Sequence, residues 1–197
     1  MQRNAHPLLS RLRWALLALL LVVPCAYCWE RDDRLAIMAS DLLPVVLSAQ
    51  DSFPGYYFPP SAEPVPVLRV NVVYRKKRYL AERTVKRING LKPVKGVQLQ
   101  ALAVSLNTFI ADRAEPKANG TPQITFIIED MGKQLKRVLA HTHQDLTYSS
   151  SIDDVEAGVA VGLSVTERVL PAVNTSVLLK MQIKFSSLFM RIAKRVE

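Results

Sequence analysis

From Val67 onward the chain switches repeatedly between strand-like and helix-like hydrophobic periods, and this alternation constrains the fold more than any other feature. Val67–Tyr74 (VLRVNVVY) is rich in β-branched residues and reads as a strand. Residues 76–88 follow with Leu80, Val85 and Ile88 at helical spacing, and Asn89-Gly90 supplies the stop. Further strands are predicted over 97–104, 123–128 and 146–149, with a helix over 131–141 that turns Leu135, Val138 and Leu139 inward. Ser151-Ile152-Asp153-Asp154 has the spacing of a helix N-cap, opening a single turn that Gly158 ends. Two last strands, 159–166 and 170–173, flank a tight Glu167-Arg168 connection. The spacing then predicts one long amphipathic helix over 175–196, capped by Asn174. Strands that alternate with helices imply an α/β fold: a single small domain whose mostly parallel sheet is covered by helices on both faces. The hairpin before the last helix adds an antiparallel edge.

Upstream lie two segments of different character. Arg3, Arg11 and Arg13 precede an uncharged apolar run at 14–23 (WALLALLLVV), which Pro24 ends before Ala26-Tyr27-Cys28. This is the order of a secretory signal peptide. A spanning helix needs about 20 apolar residues, and Glu30 to Asp33 arrive too soon for that. Residues 1–28 are therefore read as a cleaved signal, with an uncleaved anchor as the alternative, and the expected location is the periplasm. Residues 29–66 hold a helix over 34–50, with Leu35, Met38, Leu42, Leu43 and Val46 at helical spacing and Pro44 expected to kink or interrupt it. A proline-rich arm follows, expected to be extended, with Phe53, Tyr56, Tyr57 and Phe58 free to dock on a partner or to cover the domain's own flank.

The motifs exclude more than they admit. Both cysteines fall in the signal region, so Cys25-x-x-Cys28 is no redox or zinc motif and the exported chain must hold by burial alone. The formal charge is +9, and only three of the 26 basic residues lie in 1–28, so a positive surplus persists in the remainder. Its one dense run, Arg75-Lys76-Lys77-Arg78, suits a solvated first helical turn or a patch facing an acidic surface. Nucleic acid is a poor partner for an exported protein. Neither G-x-G-x-x-G nor G-x-x-x-x-G-K-[ST] occurs. Ser164 lacks the glycine two residues later that a nucleophile elbow needs and is read as a strand residue. His141-x-His143 offers only two nitrogens at a helix end and completes no zinc site. Glu129-Asp130 closes the third strand, on the edge where open α/β sheets bind ligands, and is the candidate ligand edge. No convergent acid–base pair is present, so no catalytic residue, metal or cofactor is assigned.

The C-terminal residues carry a broad apolar stripe of Leu178, Met181, Phe185, Leu188, Phe189, Ile192 and Val196. Val173-Asn174, then Ile183-x-Phe185-Ser186-Ser187 and Arg191-Ile192-Ala193, is similar to the ending of the YfiR-like periplasmic proteins. Ile124 to Ile128, Leu146-Thr147-Tyr148-Ser149 and Ala157-Gly158-Val159-Ala160-Val161 resemble that family's preceding strands and its turn into the final hairpin. The resemblance covers about residues 68–196. It implies a non-catalytic periplasmic regulator, often dimeric, that restrains an inner-membrane signalling protein such as a diguanylate cyclase or sensor kinase. The family's Trp-Pro step is replaced here by Asp51-Ser52-Phe53-Pro54, and no cysteine outside 1–28 is available for a redox disulfide.

Two functions are expected on these grounds. The first is such a regulator, its partner contacted by Phe53, Tyr56, Tyr57, Phe58, Met181, Phe185 and Phe189. The second is a single-lobe periplasmic protein that binds a small ligand at Glu129 and Asp130.

Overall fold

The computed structural model describes residues 31–58, 66–113, 123–142 and 145–197. The expected signal peptide lies outside the described residues. The chain divides into two compact units, 1–34 and 35–197. Of the first, only 31–34 are described, and they are helical. The second unit holds the sheet.

Helix α1 covers residues 35–49 of this second unit. After it come β1 (Val67–Tyr74), α2 (Arg78–Asn89), β2 (Gln98–Ser105), α3 (Leu106–Asp112), β3 (Ile124–Ile127), α4 (Leu135–Ala140), β4 (Leu146–Ser149) and α5 (Ile152–Glu156). The chain closes with β5 (Val161–Val165), β6 (Val169–Asn174), α6 (Thr175–Lys180), α7 (Ser187–Ile192) and β7 (Lys194–Val196). Among the described residues seven strands form one sheet in the order β2-β1-β3-β4-β5-β6-β7, parallel except for the β5–β6 hairpin. Val70 stands opposite Ala101 on one side and Ile124 on the other, and Ile124 opposite Leu146. The α/β class and the mostly parallel sheet expected from the alternation are what the structure has.

Every residue of β3 and β4 is buried. That requires helices on both sides of the sheet. Val70, Val72, Ile124, Phe126 and Tyr148 pack with α1 and α2, while Val73 and Ile127 pack with Phe109 of α3 and Val138 of α4. Tyr148 donates its hydroxyl proton to the Ala39 carbonyl of α1 at 2.9 Å, so its polar end is satisfied inside the core. Helix α3 was not expected. It is short, but Ser105 caps it by accepting from the Thr108 N–H.

Three expectations need correction. Helix α1 runs through Pro44 without a break. Its inward stripe is Ala36, Ala39, Leu43, Val46 and Leu47, whereas Met38 faces outward. Burial of that stripe outweighs the hydrogen bond that Pro44 forgoes. The arm is not extended over its described part: Tyr56, Tyr57 and Phe58 donate backbone N–H groups back to Ser52 and Pro54, and Phe53 and Tyr57 enter the core.

The third correction is the C-terminal helix, which is two helices and a strand. Gln182 turns the backbone left-handed (φ 57°). Ile183 and Phe185 are both buried with Lys184 outside, a strand period that no helix can present. Lys184 and Ser186 bond to Asp51 and Ala49 of the N-terminal segment at 2.9 and 2.8 Å. Ser186 then caps α7 through the Phe189 N–H, and β7 adds a parallel strand beside β6 where the hairpin edge was expected. Asn174 caps α6 as expected. Phe185 and Phe189 stack at 4.7 Å within the core. Phe189→Ala is therefore expected to cost about 3–5 kcal/mol, and Leu188→Ala, one residue away but exposed, under about 0.5 kcal/mol, in urea unfolding.

Candidate ligand-binding edge

Strands β1, β3 and β4 are parallel, so their C-terminal ends share one edge of the sheet. From β1 the chain crosses to β2 on one side, then returns past β1 to β3 on the other. The order therefore reverses between β1 and β3, the position where open α/β sheets leave a crevice for ligands. Residues 75–77, 128–131 and 150–151 form the three loops that meet there.

Glu129, the first of the two expected ligand residues, is buried at this crossing. Its Oε1 accepts the backbone N–H groups of Arg75, Lys76 and Lys77 at 2.6, 2.8 and 3.0 Å. Helix α2 has no capping side chain of its own and no acidic residue in its first turn. Glu129 reaches in from the loop after β3 and accepts from the three residues that lead into the helix, which sets its carboxylate beside the positive end of the helix. The run Arg75-Lys76-Lys77 thus contributes its backbone, and Arg78 pairs at the surface with Glu82 at 2.8 Å. Asp130, the second expected residue, is exposed, and its Oδ1 accepts from the N–H of Gly132, whose φ of +52° suits glycine.

The β4–α5 loop adds groups that the sequence pattern did not single out. Ser149 donates its hydroxyl proton to Asp154 Oδ2 at 2.5 Å and accepts the Ser151 N–H at 3.1 Å. Ser151 caps α5 through the Asp153 N–H, and Ser150 Oγ lies 3.5 Å from the Ile128 carbonyl. Asp154 is only 7% exposed. Burial pushes its carboxyl up to about 6; the Ser149 hydrogen bond opposes this, and the nearby Asp130 and Asp153 charges add to it. The pattern Ser-Ser-Ser-x-Asp-Asp directly after a strand was the available signal, read as a helix cap alone. Gly162 on β5 makes room for this loop: a Cβ there would lie 2.9 Å from the Ser151 carbonyl oxygen and 2.5 Å from Val155 Cγ2.

The other candidates separate. Phe53, Tyr57, Phe185 and Phe189 are core residues, and Tyr56, Phe58 and Met181 pack half-buried against the same core. Phe53, Tyr57, Phe185 and Phe189 are thus corrected as partner contacts, since they are spent on the domain's own folding, while Tyr56, Phe58 and Met181 keep part of their surface exposed. Ser164 is a buried residue of β5. The His141 ring nitrogen Nδ1 sits 2.7 Å from the Arg137 carbonyl, and His143 lies outside the described residues. Among the described residues no three His, Cys, Asp or Glu side chains gather as metal ligands, and no helix is long and apolar enough to cross a membrane. At the opposite edge, Arg113, Asp145, Gln123 and Thr125 bond one another, a buried polar network satisfied from within.

No protein-family model and no curated protein matches the chain. Among solved structures, the chain is similar to an ABC domain from Streptococcus pneumonia crystallised in complex with L-Trp. The TM-score is 0.50 at 11% identity, over 66% of this chain and 56% of that one. A conserved domain protein from Vibrio cholerae O1 biovar El Tor gives a TM-score of 0.48 at 10% identity, over 66% of this chain and 54% of that one. The chain thus spans a little over half the length of each. The first likeness is one of fold, and it agrees with the architecture above: a helix-flanked, mostly parallel α/β sheet.

Because the folded chain favours protonated Asp154, its contribution to stability is full below about pH 4 and is lost as pH rises through about 6. Asp154→Asn keeps an acceptor for Ser149 and abolishes that loss. Its stability relative to the parent is expected to climb from near zero at pH 4 to at most about 3 kcal/mol at pH 7, measured by urea unfolding across that range. Glu129→Ala leaves three N–H groups without their acceptor and is expected to cost about 2–4 kcal/mol; Glu129→Gln, which retains an acceptor, costs less.

Proposed function

We propose that this chain is a non-catalytic, single-lobe binding module that holds a small polar solute at the shared C-terminal edge of β1, β3 and β4. One observation carries the reading: the strand order reverses between β1 and β3, and the loops that meet there bring Glu129, Asp130, Ser149 and Asp154 to one edge. The fold likeness to a domain crystallised with L-Trp supports it. Glu129 already occupies the N–H groups of Arg75, Lys76 and Lys77 in the loop before α2 and adds a carboxylate there, which disfavours a phosphate. What the edge still offers is the exposed carboxylate of Asp130 and the partly exposed Ser151, groups that suit an amine-bearing or hydroxylated solute rather than a phosphate ester.

Thermal unfolding with amino acids, amines, sugars and phosphate esters tests this. A solute at 100 times its dissociation constant adds about 2.7 kcal/mol, a rise of roughly 5–10 °C for a domain of this size. The expected result is a shift with an amine-bearing solute that weakens in Asp130→Asn and is absent with phosphate esters. No shift across the panel defeats the reading.

A second reading is a periplasmic regulator of an inner-membrane signalling protein, as the YfiR-like resemblance implies. A different surface from the one expected supports it: Leu179, Leu188 and Ile192 on α6 and α7 are 79%, 62% and 51% exposed. Recovery of a cyclase, kinase or receptor from solubilised inner membrane by the parent, but not by Leu179→Lys/Leu188→Lys, is the expected outcome. Equal recovery by both counts against this surface.

A further inference from the structure

Among the described residues β2 pairs with β1 alone, so its other side is an open sheet edge. Such an edge presents free N–H and C=O groups to any extended chain, a second copy included. The N–H and C=O of one parallel-strand residue leave the backbone on the same side, and the side alternates along the strand. Gln98 points toward β1, since its N–H donates to the Pro66 carbonyl at 2.9 Å. Leu99, Ala101 and Ala103 therefore point outward.

Two of these outward residues are already engaged by side chains. The Ala101 N–H donates to Asn89 Oδ1 at 2.7 Å, and Asn89 Nδ2 donates to the Ala101 carbonyl at 3.3 Å. The primary amide thus takes the two bonds that a neighbouring strand would make. Gln98 Nε2 donates to the Leu99 carbonyl at 3.2 Å. Asn89 is the last residue of α2, and Gly90 follows with its N–H on the Lys86 and Arg87 carbonyls. Helix end and strand edge are thereby joined through one side chain. An asparagine there does more than stop the helix.

We infer that Asn89 keeps the open edge of β2 from pairing with a second copy of this chain. A residue without the amide leaves Ala101 and Ala103 as consecutive outward positions ready for a strand, beside the exposed side chain of Leu102. The inference is independent of any ligand at the opposite sheet end.

Sedimentation velocity of the full chain over a hundredfold concentration range tests it. Asn89→Ala is expected to shift the monomer–dimer midpoint at least about tenfold toward dimer relative to the parent, with its circular dichroism unchanged. Asn89→Asp keeps the acceptor for the Ala101 N–H but loses the donor, and is expected to fall between the two; it serves in place of Asn89→Ala should that variant not fold. Adding Ala103→Pro removes an outward N–H at a place where an edge strand tolerates proline, and is expected to restore the parent's behaviour. Variants that sediment as the parent does, or a dimer that Ala103→Pro leaves intact, overturn the inference.

Discussion

Strands β3 and β4 are buried along their whole length on both faces, and the remaining architecture answers that demand. Each face needs its own helical layer, so the chain must cross the sheet repeatedly, and short parallel strands joined by helices are the economical solution. Tyr148 shows how tightly the layers are tied: one residue of β4 reaches through the core to a carbonyl of α1 more than a hundred positions earlier. The same packing recruits Phe53 and Tyr57 from the arm and Phe185 and Phe189 from the C-terminal segment. Aromatic residues that look available for a partner in a linear chain are consumed at home.

The candidate edge arises from the crossing pattern rather than from any motif. Parallel strands place their C-terminal loops together, and at the reversal between β1 and β3 Glu129 ties the two loops to each other. The chain thus puts a carboxylate of its own on the backbone that leads into the helix. Glu129 thereby fixes the loop that leads into α2, and Asp130 is left as the exposed carboxylate of the edge while Ser149 and Asp154 are buried against each other. Asp154 lies buried at the other side of the same edge, bonded to Ser149, with its carboxyl pushed up by burial and, to a lesser extent, by the Asp130 and Asp153 charges.

Local signals made much of the fold legible in the linear chain. The β-branched run of β1, the hydroxyl and amide caps at Ser151 and Asn174, and the stop at Asn89-Gly90 are short-range preferences, and tertiary packing had no reason to override them. The parallel class followed from alternation, and Glu129-Asp130 followed from its place after a strand. Where tertiary contacts competed with periodicity, periodicity misled. Residues 175–196 have helical spacing, yet Ile183 and Phe185 gain more by entering the core together in an extended segment bonded to Ala49 and Asp51. Pro44 should break a helix, yet the stripe from Ala36 to Leu47 is buried deeply enough to carry it through.

The amino-acid sequence by itself determined six of the strands, the caps that start α5 and α6, and that the sheet is mostly parallel, because these depend on residues within a few positions of one another. Only the tertiary structure decided that Glu129 turns to the backbone leading into α2 rather than to solvent, that Asn89 spans to Ala101, and that Phe53, Tyr57, Phe185 and Phe189 are core. Each of those outcomes joins groups from separate elements, and whether a side chain is buried depends on which surfaces the folded chain brings against it.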